Sequence, residues 1–280
     1  MIQSDPQQTN LVRDAYLSSD LKDNALRFES SIEFVETLKL VKKYAPTGKT
    51  LLDIGAGNGI SSVAFAKRKF DVIALDPDPS ELVGTGAIKK LISEFNLQNL
   101  QVIESPAEKI DLPSTSVDIV YVRQAMHHAA NLHQFIAECS RVLKPGGMLL
   151  TTRDHVIYDD NDKQRFLNTH PLHRFYGGEN AFTKEEYTLA MTITGLQVQE
   201  KLGHFESPIN YFPSTASEIA QLPDTIRENR KIALSQRIGL FASIPGLFWL
   251  YNIYLNNKIG DALDEKRIAG RLYSFVAIKS

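Results

Sequence analysis

Thr50-Leu51-Leu52-Asp53-Ile54-Gly55-Ala56-Gly57-Asn58-Gly59 is the stretch that decides the reading of this chain. Its apolar run is too short for a helix, and three alternating glycines turn the backbone at once, so it reads as a buried strand entering a tight turn. A helical pattern follows from Ile60 to Lys69. Asp71-Val72-Ile73-Ala74-Leu75-Asp76 is then a second strand, ended by Pro77 and Pro79. Strand, crossover helix and strand make a β-α-β unit.

The same alternation extends outward. Downstream it predicts a helix over 81–95, strands at Leu100–Glu104 and Val117–Val122, a helix over Leu132–Leu143 stopped by Lys144-Pro145-Gly146-Gly147, and a strand at Met148–Arg153. Upstream, Ser30 or Ser31 caps a helix carrying Phe34, Leu38 and Val41, while residues 1–29 read as polar and irregular. Beyond Arg153 a long loop ends at Thr183, whose spacing to Glu186 forms a capping box. The helix after it stops at Gly195, Leu196–Leu202 is the sixth strand, and Arg271–Lys279 is the last. Regular alternation calls for a parallel sheet covered on both faces. The expected fold class is α/β, a Rossmann-like seven-stranded sheet in a single domain over 1–280. Its core spans 45–203, a helical insertion spans 204–270, and the closing strand spans 271–280.

Composition removes several classes. At 43% hydrophobic and 23% charged residues, the chain buries a core and is not a disordered protein. A formal net charge of −2 excludes a broadly basic chain that coats nucleic acid, so no nucleic-acid partner is expected. The single cysteine, Cys139, allows no internal disulfide and no thiolate zinc cluster, and it reads as core. The polar start MIQSDPQQTN has no signal character, which together with the lone cysteine gives a cytoplasmic expectation.

The turn at Gly55, Gly57 and Gly59 presents backbone N–H groups and a positive helix end to a ligand, beyond its plain role as strand-to-helix punctuation. The spacing is G-x-G-x-G with Ile60 next, whereas a dinucleotide fingerprint requires G-x-G-x-x-G. This disfavours an NAD(P)-dependent oxidoreductase, the runner-up enzyme class. Asp76, at the end of the second strand, is placed to accept hydrogen bonds from ribose hydroxyls.

Five segments in order resemble the class I S-adenosylmethionine (SAM)-dependent methyltransferases of the small-molecule subgroup. They are Leu51–Gly59, Ala74-Leu75-Asp76, Ser105-Pro106-Ala107-Glu108 with Leu112-Pro113, Val117-Asp118-Ile119-Val120, and Arg141-Val142-Leu143-Lys144-Pro145-Gly146-Gly147. The resemblance implies SAM as cofactor and an antiparallel strand pair at the end of the sheet. It implies that Asp53 and the turn Gly55, Ala56, Gly57, Asn58 and Gly59 hold the amino acid part. Asp76 with Pro77 takes the ribose, Ala107 and Glu108 border the adenine, and Arg123 or Gln124 lines the methionine side. A weaker likeness to bacterial surface-polysaccharide-associated methyltransferases covers the loop around His170–Asn180 and Ser207–Phe212.

In such an enzyme the protein aligns an acceptor, excludes water and, where needed, removes a proton. His127, His128 and His155 lie just beyond strands four and five, where open α/β sheets bind ligands. His128 or His155 is the leading candidate for a general base or acceptor-orienting group, with His127, Asp154 and Glu179 as competitors. The plainer reading is that His127 and His128 cap the strand-four loop. No metal is expected, since the histidine spacing lacks a ligand pattern. The loop over 155–182 is a candidate acceptor lid. The expected function is methyl transfer to an oxygen or nitrogen of a small molecule or sugar intermediate, against a non-catalytic SAM-binding regulatory protein.

Ile238–Leu255, IGLFASIPGLFWLYNIYL, is barely long enough to cross a bilayer and is split by Pro245-Gly246, so it predicts two short helices. Three readings stay open: a cover over the acceptor pocket, a homodimer interface, or a peripheral membrane contact. Residues 226–280 carry nine basic against four acidic side chains, which resembles an interfacial element; packing on the sheet or on a second subunit is the favoured reading.

Overall fold

The structure is a computed structural model, and it describes residues 20–169, 180–211, 215–259 and 264–280. Ser31 accepts from the Phe34 N–H and caps α2 (Ile32–Tyr44), with α1 (Leu21–Glu29) before it. The glycine-turn unit follows as β1 (Thr50–Ile54), α3 (Ile60–Lys67) and β2 (Asp71–Asp76). Next come α4 (Thr85–Phe95), β3 (Leu100–Glu104), β4 (Val117–Arg123), α5 (Leu132–Val142) and β5 (Leu143–Ile157). Then follow α6 (Asp160–Thr169), β6 (Phe182–Thr183), α7 (Lys184–Ile193), β7 (Leu196–Leu202), α8 (Ala216–Ile238), α9 (Leu247–Ile259) and β8 (Arg271–Lys279).

The sheet runs β3-β2-β1-β4-β5-β8-β7, with β6 added beside β5. β8 is antiparallel to both β5 and β7, so a parallel sheet ends in an antiparallel edge, as the Rossmann-like reading required. One apolar layer on β1, β4 and β5 packs Leu52, Ile54, Val120, Val122 and Leu149 against α5 and α7 residues such as Ile136, Cys139 and Tyr187. The opposite layer packs Leu51, Ile119, Tyr121, Met148 and Leu150 against Phe34 of α2 and Val63 and Phe65 of α3. Burial on both faces explains why these strands are continuous apolar runs instead of alternating ones.

Five expectations are corrected. The sheet has eight strands, because β6 adds a short parallel strand beside β5. β5 starts at Leu143 and continues to Ile157, beyond the expected Met148–Arg153, because pairing with β8 carries it through a polar stretch. The polar start contains α1, which Asp20 caps and which buries Asn24, Ala25 and Phe28. The expected loop after Arg153 contains α6, and the helix expected from 81 starts only at Thr85. Each miss concerns a segment whose apolar content is low and whose packing partner lies far away in sequence.

Two units are separated by their contacts: 1–210 with 269–280, and 211–268. In the second, Thr215 and Glu218 form a capping box for α8, and Arg230 Nη1 donates to Asn252 Oδ1 (3.0 Å) and Asn256 Oδ1 (2.9 Å) of α9. A 3₁₀ turn, Gly239–Ser243, joins the two helices. The basic count over 226–280 is reduced as a surface argument, because two of its nine cations work inside the first unit. Arg271 is fully buried, and Lys279 donates to the Ser140 and Leu143 carbonyls at 2.6 and 2.7 Å. Among the described residues no helix is long and apolar enough to cross a membrane.

Candidate functional site

The glycine turn leaves the C-terminal end of β1 with Gly55, Gly57 and Gly59 all at positive φ. A Cβ on Gly55 would lie 2.4 Å from the Ala125 Cβ, so only glycine lets the turn approach the end of β4 this closely. The Gly55 and Ala56 amides donate to the Leu75 carbonyl of β2, at 2.8 and 3.1 Å. The Gly57 amide donates to Asp76 Oδ2 at 2.8 Å, and the Asp78 amide to Asp76 Oδ1 at 2.9 Å. Asp76 therefore clasps the glycine turn to the end of β2 while its carboxylate stays at the strand edge. Pro77 beside it is exposed. Gly59 is the left-handed N-cap of α3 and provides no side chain there, so the helix start has no side-chain cap.

Asp53 lies fully buried beneath this turn. Its Oδ2 accepts from Ser61 and Ser62 of α3 at 2.7 and 2.6 Å. Its Oδ1 is buried with no hydrogen-bond partner among the described residues, which costs about 1–3 kcal/mol unless a ligand completes it. Burial pushes the Asp53 carboxyl up to about 6, against the two serine hydrogen bonds. Burial likewise pushes Asp76 up to about 6, against the Asp78 and Gly57 amides.

At the end of β4, Arg123 donates through Nε to Glu33 Oε1 (2.6 Å) and through Nη2 to Glu33 Oε2 (3.0 Å), and it lies over the Phe28 ring. Glu33 is itself buried in the first turn of α2, and Arg153 of β5 approaches it at 3.7 Å. The expected cofactor-lining Arg123 thus also anchors the N-terminal helices over the sheet. Glu108, expected beside the adenine, has a structural part: its Oε1 accepts the Ala130 amide at 2.9 Å, tying the loop after β3 to the loop after β4. Ala107 beside it is half-buried against the core, and Asn58 is buried within the turn.

The third cluster lies where β4 and β5 end. β5 and β8 pair Thr151 with Phe275 and Asp154 with Tyr273, so three steps on β5 match two on β8. Paired residues share a face, and the extra residue turns Asp154 to the face that holds Thr151. Arg153 carries the bulge at φ +60, and Gln124 (φ +50) and Ala181 (φ +42) are also left-handed at this edge. These three non-glycine residues, after β4, inside β5 and before β6, each hold a backbone conformation that costs about 1–3 kcal/mol.

The bulge brings Asp154 to His127. Asp154 Oδ1 accepts the His127 backbone N–H at 3.1 Å and lies 3.0 Å from His127 Nδ1. Both residues are buried, and Asp154 Oδ2 is buried with no hydrogen-bond partner among the described residues. Burial raises the Asp154 carboxyl, opposed by its hydrogen bonds with His127. An ionised Asp154 accepts a hydrogen bond from His127 Nδ1–H, and burial works against that ionisation. The His155 ring packs edge-on against His127, with centroids 4.6 Å apart, and its Nδ1 lies 2.6 Å from the Gly270 carbonyl. His128 is exposed, with its ring tilted against His127 at 4.2 Å. Among the described residues, Asp154 is the carboxylate paired with His127.

Glu179, His170 and His173, with most of the loop that holds them, lie outside the described residues. Among the described residues no group of three or more His, Cys, Asp or Glu side chains is placed to hold a metal. Cys139 is fully buried, which pushes its thiol far up and fits a core residue. Sequence reasoning missed Glu33, Arg153, Ser61 and Ser62. The serines were findable, since two hydroxyls in the first turn of the helix face back toward the strand that feeds it.

Residues 52–151 match the family of methyltransferase domains. The uncharacterized methyltransferase YcgJ of Bacillus subtilis is 30% identical over 125 residues, covering 42% of this chain and 45% of that protein. A probable S-adenosylmethionine-dependent methyltransferase of Mycolicibacterium smegmatis is 28% identical over 158 residues, 56% of each chain. The chain therefore spans about half the length of these curated relatives. The solved structure of YcgJ covers 88% of this chain and 98% of its own at 22% identity, with a TM-score of 0.56, which is a likeness of fold.

Proposed function

We propose that this chain, which carries a class I S-adenosylmethionine-dependent methyltransferase domain, moves the methyl group of SAM to an oxygen or nitrogen of a small-molecule or sugar acceptor. The observation that carries this reading is the buried, half-satisfied Asp53 carboxylate under a glycine turn that Asp76 clasps. An orphaned buried anion fits the ammonium group of the methionine part, and a second carboxylate at the end of β2 fits the ribose hydroxyls. The turn Gly55, Ala56, Gly57, Asn58 and Gly59 supplies a close backbone approach, with Pro77, Ala107, Glu108, Arg123 and Gln124 bordering it.

When bound, SAM supplies an activated methyl group on a sulfonium. The chain's own residues do the rest: they align the acceptor, keep water out and receive its proton. The His127 imidazole is the proton acceptor in this reading, with Asp154 fixing the ring and stabilising the imidazolium. His155 sits beside it as the residue that orients the acceptor, and the exposed His128 packs its ring against His127.

Isothermal titration with SAM against NAD tests the cofactor, and release of S-adenosylhomocysteine over a panel of hydroxyl and amine acceptors tests the reaction. Tighter binding of NAD overturns the reading, and SAM binding without any turnover assigns a regulatory role. The carboxyls of Asp53 and Asp76, both raised to about 6, add a pH signature. Both must be ionised to hold the ammonium and the hydroxyls, so affinity is full above pH 7 and falls as the pH drops through 6. Between pH 8 and pH 5 each carboxylate is expected to cost about tenfold, roughly 100-fold together. A dissociation constant that stays flat across this range contradicts the assignment of the two aspartates.

A further inference from the structure

The helical hairpin of the second unit presents an unusual surface. In α9, Leu247, Phe248, Tyr251 and Leu255 lie half-buried, which is the face a helix normally reserves for its core. The opposite face is apolar as well: Trp249, Leu250, Ile253 and Tyr254 are exposed, followed by Asn257 and Lys258. A helix apolar all round is a helix with something on every side. At the connecting turn Leu240 is 94% exposed, Phe241 69% and Trp249 64%, with Ile244 beside them. So large a cluster is well beyond the scattered apolar residues of an ordinary surface.

Charge selects the occupant. Residues 229–259 contain Arg230, Lys231, Arg237 and Lys258 and no aspartate or glutamate. Glu228, just before this stretch, pairs with Lys231 at 2.6 Å, and a two-fold contact with a second copy would still bring Arg230, Arg237 and Lys258 against like charge. An anionic bilayer surface offers both complements: acyl chains for the leucines and phenylalanine at the tip, and headgroup phosphates for the flanking cations. Tryptophan and tyrosine are the side chains that settle at such a boundary.

We propose that the hairpin over 238–258 docks the protein on an anionic lipid surface, with Leu240, Phe241 and Trp249 inserted among the headgroups and Arg237 and Lys258 at their phosphates.

Trp249 is the chain's single tryptophan, so its fluorescence reports on this surface alone. The full chain is mixed with phosphatidylcholine vesicles with and without phosphatidylglycerol. Trp249 emission is expected to shift to shorter wavelength, and the protein to float with the vesicles, only when phosphatidylglycerol is present, with binding weakened by salt. Leu240→Ser combined with Phe241→Ser should lower partition about tenfold or more, and Arg237→Glu should also lower it. SAM titration, unchanged in these variants, shows that they fold. Emission that does not respond to anionic vesicles overturns the proposal. So does a blue-shifted emission without lipid that accompanies dimerisation in light scattering, which assigns the patch to a second copy. Failure here leaves the cofactor titration untouched, and failure of that titration leaves this result standing.

Discussion

Asp154→Asn is expected to lower turnover about 10²–10⁴-fold while SAM affinity changes by less than about threefold. Asp154 is hydrogen-bonded to the backbone and ring of His127 and to the Met126 backbone, at the end of β5 and away from the β1 turn in sequence. An amide in its place removes the negative charge that stabilises a protonated imidazole, and the loss appears in kcat. His127→Ala should cost a similar factor. The double variant should be no slower than the worse single one, since one unit is removed in each case. His128→Ala, at an exposed position, should stay within about twofold. The measurement is S-adenosylhomocysteine release at saturating SAM, with titration of SAM alongside. Turnover that survives Asp154→Asn with SAM binding intact removes this pair from the chemistry and returns the role to His155.

Arg271→Ala is expected to cost about 3–5 kcal/mol of stability, the largest loss of any single change outside the hydrophobic core. Arg271 is fully buried; its Nη1 lies 2.5 Å from Asp162 Oδ2 and donates to the Val156 carbonyl at 2.8 Å, and its guanidinium lies 4.2 Å from the centre of the Tyr158 ring. It fastens the start of β8 to the end of β5 and to α6. Removing it leaves Asp162 buried with Arg165 and the Tyr158 amide as its remaining partners. Burial pulls the Asp162 carboxyl upward, but the hydrogen bonds from Arg271 and Arg165 hold it below the usual carboxylate range. A carboxyl depressed in the folded state contributes stability above its unfolded pKa and loses it as pH falls through the folded value. The wild type should therefore lose part of its margin in acid, and Arg271→Ala should lose less on acidification because its Asp162 is less depressed. Denaturant unfolding at neutral and acid pH measures both effects. Arg271→Met with Asp162→Leu should recover part of the loss, since a buried pair removed as a whole leaves no lone charge.

The parallel half of the fold was legible residue by residue. β1, β2 and β3 begin and end where alternation and turn chemistry placed them, because a strand buried on both faces is written as a short apolar run between breakers. Asp53, Asp76 and the glycines were legible for the same local reason, since their roles depend on where a strand ends. α6 and β6 were not. Their partners are Arg271, Val156 and Ile157, and the decisive arginine lies 109 residues from Asp162.

By itself the sequence determined a strand-turn-helix unit with a glycine turn and two carboxylates at the strand ends, because strand ends and turns are set by neighbours in the chain. Only the tertiary structure decided that His127 meets Asp154 and that Arg271 and Lys279 are not surface cations. One extra residue in β5, opposite β8, rotates Asp154 onto His127, and a side chain's face in a sheet inverts with a single-residue shift of register. Arg271 and Lys279 count as positive charge in the sequence but are consumed by long-range contacts in the fold.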